Sequence, residues 1–260
     1  MLLAPSMTVA QSKSRLPPEG VASIEILPGW REGRQHVSAL RIKLAPGWKT
    51  YWRAPGDAGI PPEFDWQGSE NLASVQYVWP TPEVFYTNGQ RALGYHDELV
   101  LPVILTPARP EQPIRLKAGL DLGVCHEVCV PVTAELRAEV PPEGRADPVI
   151  RAALTTRALT AAEAGLKKAT CRIEPIRDGL QVTAELELAP QGSQEVVVIE
   201  AGVPGIWASQ AVSARSGRVL TASADLVPPQ AKPFSLDRSK LRITVVAAGR
   251  SVEIQGCSGG

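Results

Sequence analysis

Net charge is missing from this chain: Lys+Arg and Asp+Glu number 27 each in 260 residues. With no basic stripe along it, nucleic acid is a poor fit as partner. No stretch approaches the ~18 apolar residues that a membrane-crossing helix needs. A serine–histidine–acid arrangement, a phosphate-binding glycine loop and a paired-carboxylate signature are absent as well. Cysteine is scarce, with four residues, and so is histidine, with three. No second Cys or His pair stands at ligand spacing, which weakens any zinc reading. His36 and His96 are isolated and read as surface or hydrogen-bonded residues. Asp57 and Asp65 lie in Pro/Gly-rich sequence, where an aspartate usually shapes a turn.

Against that scarcity, two of the four cysteines fall within one short stretch, Gly123-Val124-Cys125-His126-Glu127-Val128-Cys129-Val130-Pro131. Two thiols this close bond only if the backbone between them turns back on itself. Such a bridge does little for folding, because closing a loop of about five residues is worth roughly 2 kcal/mol at best. Cys171 and Cys257 would enclose about 87 residues, for which the same chain-entropy argument gives roughly 4.6 kcal/mol. Four cysteines allow three pairings. The pairing expected is Cys125–Cys129 with Cys171–Cys257, the distant pair a structural staple and the close pair a site of chemistry. An even cysteine count that includes a staple points to an oxidising compartment.

The length suits two domains of ordinary size, and the 44% apolar content is enough for packed cores. The 24 Pro and 22 Gly, without low complexity, fit an all-β chain punctuated by turns. Short alternating runs read as strands at Val21–Leu27, His36–Leu44, Ile114–Leu122 and Val132–Val140. Leu99–Leu105 is more continuously apolar, and Pro102 within it predicts an edge strand or a bulge. Pro141-Pro142-Glu143-Gly144-Arg145 reads as a linker. After it, Asp147-Pro148 starts a helix expected to reach about Lys168. Further strands are expected at Cys171–Ile176, Leu180–Leu188, Glu195–Glu200, Val219–Leu226, Leu241–Ala247 and Ser251–Ile254. The expected architecture is two immunoglobulin-like β-sandwiches in tandem, residues 18–140 and 141–260, with a short helical segment after the linker. Residues 1–17 read as the remnant of a secretion signal with cleavage after Ala10, or else as a disordered terminus. The expected location is outside the cytoplasm, in soluble form.

A dithiol carries two electrons by thiol–disulfide exchange, which needs a reachable sulfur, some thiolate, and a second sulfur close enough to resolve the mixed disulfide. The spacing of Cys125 and Cys129 meets the last need. Protonated His126 would favour the thiolate of Cys125, and Glu127 would oppose it. The alternative for His126 is a solvated turn residue.

Together with Gly47-Trp48-Lys49-Thr50-Tyr51-Trp52-Arg53, Trp79-Pro80-x-Pro82 and Gly94-Tyr95-x-Asp97-Glu98-Leu99-Val100-Leu101-Pro102-Val103, the Cys125-x₃-Cys129-x-Pro131 motif resembles the N-terminal periplasmic domain of the DsbD family of thiol:disulfide interchange proteins, in its ScsB variety. The resemblance covers most of residues 20–140 and continues more loosely beyond. It implies an immunoglobulin-like domain that takes electrons from a membrane-embedded DsbD/CcdA-like reductase and passes them to periplasmic thioredoxin-like proteins, acting as a protein-disulfide reductase. It also implies a cap loop over the cysteines. Glu83-Val84-Phe85-Tyr86 matches that loop, with Phe85 the candidate lid, Tyr86 and Glu83 beside it, and Tyr51 bordering the site. Phe85 and Tyr86 as ordinary core aromatics is the alternative. The better-known members place more residues between their cysteines. Full-length relatives also carry transmembrane segments and a thioredoxin-like domain that these residues lack, so either a separate membrane protein reduces the pair or the domain is adapted to another use. No cofactor is implied. Two further readings use the same residues: a Cu(I) module on Cys125, His126 and Cys129, since soft thiolates suit that ion, and a non-catalytic interaction protein.

Overall fold

The computed structural model describes residues 18–87 and 89–260; the expected leader remnant, 1–17, lies outside them. Four sheets make up two sandwiches. In the first, one sheet orders Val21–Glu32, Gln35–Leu44, Glu98–Pro107 and Leu72–Tyr77. The facing sheet orders Cys129–Val140, Ile114–Cys125, Lys49–Tyr51, Gln90–His96 and Glu83–Thr87, and Glu63–Asp65 also pairs with Ile114–Cys125. The alternation in Ile114–Cys125 does what a period of two requires. Ile114, Leu116, Ala118, Leu120 and Leu122 are buried, while Arg115 and Asp121 point to solvent. Ala118, Leu120 and Leu122 share a cluster with Leu40, Ile42, Leu99 and Leu101 of the other sheet, Ile114 and Leu116 one with Val103 and Leu105, and each fully buried leucine contributes about 1.5–3 kcal/mol.

Pro102 occupies neither an edge nor a bulge. Glu98–Pro107 is an interior strand, paired with Gln35–Leu44 on one side and Leu72–Tyr77 on the other. The Pro102 carbonyl accepts from the Val78 N–H at 2.9 Å, one residue past the end of the ladder at Tyr77. In an antiparallel ladder a residue's N–H and C=O point the same way, so the missing donor falls where the neighbouring strand has already stopped.

The second sandwich sets Leu159–Thr160, Arg250–Gln255, Arg242–Ala247 and Val196–Glu200 against a sheet built on Lys168–Ile176, Gly179–Glu187 and Val219–Val227. The helix is shorter than expected, Pro148–Thr155. Asp147 caps it by accepting from the Val149 N–H at 2.7 Å, and Ile150 is buried against Val37 and Ala39 of the first sandwich. Its end comes at two threonines whose hydroxyls bond back to the Ala152 and Ala153 carbonyls. The chain then turns to pair Arg157 with Pro80. Thr160 and Glu163 form a reciprocal capping box, but Gly165 at φ +69° closes that turn before a helix develops.

The sandwiches share apolar contact. Val196 and Val246 of the second belong to the same cluster as Leu93 and Trp52 of the first. Arg53 spans the junction, its guanidinium 3.0 Å from Glu200, 2.7 Å from Glu253 and 3.2 Å from the Thr244 hydroxyl.

Candidate functional site

The hairpin formed by Ile114–Cys125 and Cys129–Val140 brings Cys125 directly opposite Cys129 in the strand register. The two are disulfide-bonded, with Cα atoms 4.1 Å apart. Only His126, Glu127 and Val128 separate them, and all three are exposed. On its other side Cys125 pairs with Lys49, so that a cation and the sulfur share one face of the sheet. The two cysteines are not equivalent: Cys125 is 2% exposed, whereas Cys129 lies open to solvent.

Tyr51 is buried beneath the bond. Its hydroxyl lies 2.9 Å from the Cys125 sulfur and 3.2 Å from the Cys129 sulfur, and 3.2 Å from the Ala58 carbonyl. A disulfide sulfur carries no hydrogen, so the phenol is the donor. Burial pushes the Tyr51 phenol above its ordinary value, which keeps its proton in place at neutral pH. Gly123 makes this approach possible. A Cβ there would come within 2.6 Å of Ile60 and 3.2 Å of the Tyr51 ring.

Glu83–Thr87 and Gln90–His96 form a second hairpin beside the disulfide. Phe85 is part-buried and packs with Tyr51, Ala92 and Cys125. Its ring centre is 6.2 Å from that of Tyr51 and 5.2 Å from that of His96, and the Lys49 ammonium sits 4.7 Å above it. Glu83 holds His96 at 2.9 Å. Alternation along the strand sends Tyr86 the other way, 67% exposed. Gly94 lets the hairpin lie this close, because a Cβ there would fall 2.0 Å from the Thr50 carbonyl oxygen.

Of the residues expected at the site, Cys125, Cys129, Tyr51 and Phe85 therefore meet, with Glu83 supporting through His96. His126 packs beside Trp48, ring centres 5.9 Å apart, and against Gly47. Glu127 is exposed in the loop. Cys171 and Cys257 are bonded in the second sandwich. Among the described residues no cluster of three or more His, Cys, Asp or Glu is placed to hold a metal ion. Sequence reading missed the apolar rim. Ile60 and Val128 are exposed on either side of the disulfide, Val128 to 71%, and an apolar residue between two loop cysteines was a signal available in the sequence. Asp57 does more than shape a turn, since its carboxylate accepts from the Trp207 indole at 3.2 Å. No helix among the described residues is long and apolar enough to cross a membrane.

Comparison with known proteins bears on this geometry. No curated protein matches the chain. The crystal structure of the N-terminal periplasmic domain of ScsB from Proteus mirabilis is similar over 88% of this chain and 91% of that one, at 22% identity and a TM-score of 0.65, which establishes a shared fold. The reduced N-terminal domain of DsbD from Neisseria meningitidis aligns over 50% of this chain and 90% of that one, at 21% identity and a TM-score of 0.30. Residues 15–141 match the family model described as thiol:disulfide interchange protein DsbD, N-terminal. Residues 15–141, the sandwich that carries the Cys125–Cys129 disulfide, thus belong to the family of the DsbD N-terminal domain, a family of thiol:disulfide interchange proteins.

Proposed function

We propose that the Cys125–Cys129 pair is a two-electron carrier in the periplasm, reduced by a membrane-embedded partner of the DsbD type and oxidised by thioredoxin-like proteins. The observation that carries this reading is the asymmetry of the pair: Cys129 open, Cys125 buried, and one phenol within hydrogen-bonding distance of both sulfurs. In the reduced state the Cys129 thiolate attacks a partner's disulfide. One sulfur–sulfur bond breaks, a mixed disulfide forms, and the released partner thiolate takes up a proton. Cys125 then attacks the Cys129 sulfur, restoring the internal bond and releasing the partner as a dithiol. Two electrons move, and no external oxidant enters. The reverse sequence, with a reduced membrane protein as donor, recharges the pair.

Tyr51 suits both stages, because a protonated phenol between the sulfurs stabilises whichever one is the thiolate. Phe85 covers the buried sulfur from the side. A small thiol or oxidant meets that ring, while a protein large enough to engage Ile60 and Val128 can displace it. The deciding experiment traps mixed disulfides in the periplasm. Cys125→Ala should accumulate a thioredoxin-like protein on Cys129, and Cys129→Ala should capture far less. Capture of nothing by either variant would sink the carrier. Tight binding of one Cu(I) by the reduced protein, lost in Cys125→Ser, would favour the metal module instead.

A further inference from the structure

A cleft of about 590 Å³ opens where the two sandwiches meet, within the size range of sites that hold small ligands or peptide segments. One wall is the loop 53–61 with Arg91 from the first sandwich; the other is the strand Val196–Glu200 and the segment around Trp207 from the second.

Three features of this cleft call for different chemistry. Val196–Glu200 is the last strand of its sheet, hydrogen-bonded to Arg242–Ala247 on one side only. Its free edge presents backbone donors and acceptors, the template for an added strand. Arg91 makes no ion pair among the described residues, and its Nε is buried with no hydrogen-bond partner. The Arg242 Nε is likewise buried without a hydrogen bond, its carboxylate neighbours lying at 3.7 and 3.8 Å. Arg91 is thus left without a carboxylate partner among the described residues, and a carboxylate entering the cleft that it lines would supply one. Finally, Trp207 is 50% exposed and Val203, also lining the cleft, 40%, with the indole anchored on Asp57.

We propose that the cleft binds an extended segment bearing both acidic and apolar side chains. It adds as a strand along Val196–Glu200, with a carboxylate on Arg91 and an apolar side chain against Trp207. A free organic acid would satisfy the arginine but leave the strand edge unused. A phosphodiester chain would bring no backbone amides to pair with the strand edge. The segment belongs to the protein that exchanges electrons at Cys129, and this last assignment rests on the carrier reading above. The geometry favours it because the loop forming the cleft wall also forms the floor of the disulfide. Its Ala58 carbonyl is hydrogen-bonded by Tyr51, and its Ile60 seats against Gly123. A partner on Cys129 is one loop away from the cleft.

The test uses the full chain in its oxidised form and a capped hexapeptide of alternating valine and glutamate at millimolar concentration, with a valine–lysine peptide as control. Hydrogen exchange of the Val196–Glu200 amides should slow about tenfold with the acidic peptide alone. The protection should vanish in Arg91→Ala and in Trp207→Ala. Absence of protection with either peptide, or equal protection by both, overturns the site. For the assignment to the partner, Trp207→Ala should raise KM for a thioredoxin-like protein by about tenfold and leave reduction by dithiothreitol unchanged. Unchanged KM in that variant overturns the assignment. If the unaltered protein exchanges with no thioredoxin-like protein, the carrier reading falls, and the peptide measurement still decides the cleft.

Discussion

The molecule holds two disulfides of the same chemistry in opposite settings. Cys125–Cys129 spans 4 positions at the tip of a hairpin, with one sulfur-bearing residue exposed. Cys171–Cys257 spans 86 positions, and Cys171 is fully buried in the second core. Cys257 leads into a two-residue strand, Ser258–Gly259, that pairs in parallel with Thr170 and Cys171. The distant bond therefore pins Ser258–Gly259 along the outer side of Lys168–Ile176 at the flank of the sheet. Loop closure gives it roughly 4.6 kcal/mol of leverage on the unfolded chain against roughly 2 for the close pair. What separates the two bonds is location: an open hairpin tip with a hydroxyl donor, against an apolar interior.

The largest effect should come from removing each bond in turn. Cys171→Ala with Cys257→Ala should lose about 4–5 kcal/mol in denaturant unfolding, and Cys125→Ala with Cys129→Ala about 2 kcal/mol or less. Equal losses would erase the distinction. Next, mild dithiothreitol followed by an alkylating reagent should add two labels to the folded protein. Both should fall on Cys125 and Cys129, with Cys129 modified about tenfold faster; mass spectrometry of the peptides reads this directly. Phe85→Ala should then raise glutathione attack on the Cys125 sulfur, which the ring covers, about threefold to tenfold while leaving attack on the open Cys129 sulfur nearly unchanged; mass spectrometry of the mixed disulfides reads the split. Tyr51→Phe removes the one O–H shared among the two sulfurs and the Ala58 carbonyl, so the thiolate loses a hydrogen bond worth about 1 kcal/mol or less. The alkylation rate at neutral pH should fall a few-fold, and a rise would contradict the role given to Tyr51.

The smallest effect concerns a site remote from both bonds. Burial lowers the pKa of His36 from its ordinary 6.5, so the folded state binds the proton less readily than the unfolded chain. The associated stability is fully present above that ordinary value and declines as pH falls through it toward the lower folded value. Denaturation followed from pH 7.5 to 5 should show the decline in the unaltered protein and a flatter profile in His36→Gln.

How much was legible beforehand differs by element. Strands with a strict two-residue alternation, such as Ile114–Leu122 and Val132–Val140, were readable because one face had to be buried whatever the fold. Lys49–Tyr51 and Glu63–Asp65, each of three residues, carry no period of their own and form against strands distant in sequence, the first between Ile114–Cys125 and Gln90–His96, the second on Ile114–Cys125. The helix was overextended in the reading because nothing local reveals that Leu159–Thr160 pairs in parallel with Val252 and Glu253. Pro102 misled for a similar reason: its missing donor matters only if a neighbour stands opposite, and where a neighbouring strand ends is a long-range fact. At the site, the cysteines were legible from spacing, and Phe85 and Tyr51 through family resemblance. Arg91 and Trp207 were not, since their neighbours Gln210 and Asp57 lie more than a hundred positions away, and neither was Ile60, which meets Gly123 from a separate loop.

The amino-acid order alone determined the alternating strands, the linker with its capped helix start, and the nearness of two sulfurs, because each depends on contacts between residues a few positions apart. Tertiary structure alone decided that Cys129 faces solvent while Cys125 does not, that a phenol sits under the bond, and that two sandwiches enclose a cleft between an open strand edge and an unpaired arginine. Exposure and desolvation are set by everything that packs around a group, and that surrounding comes into being only once the distant strands have met.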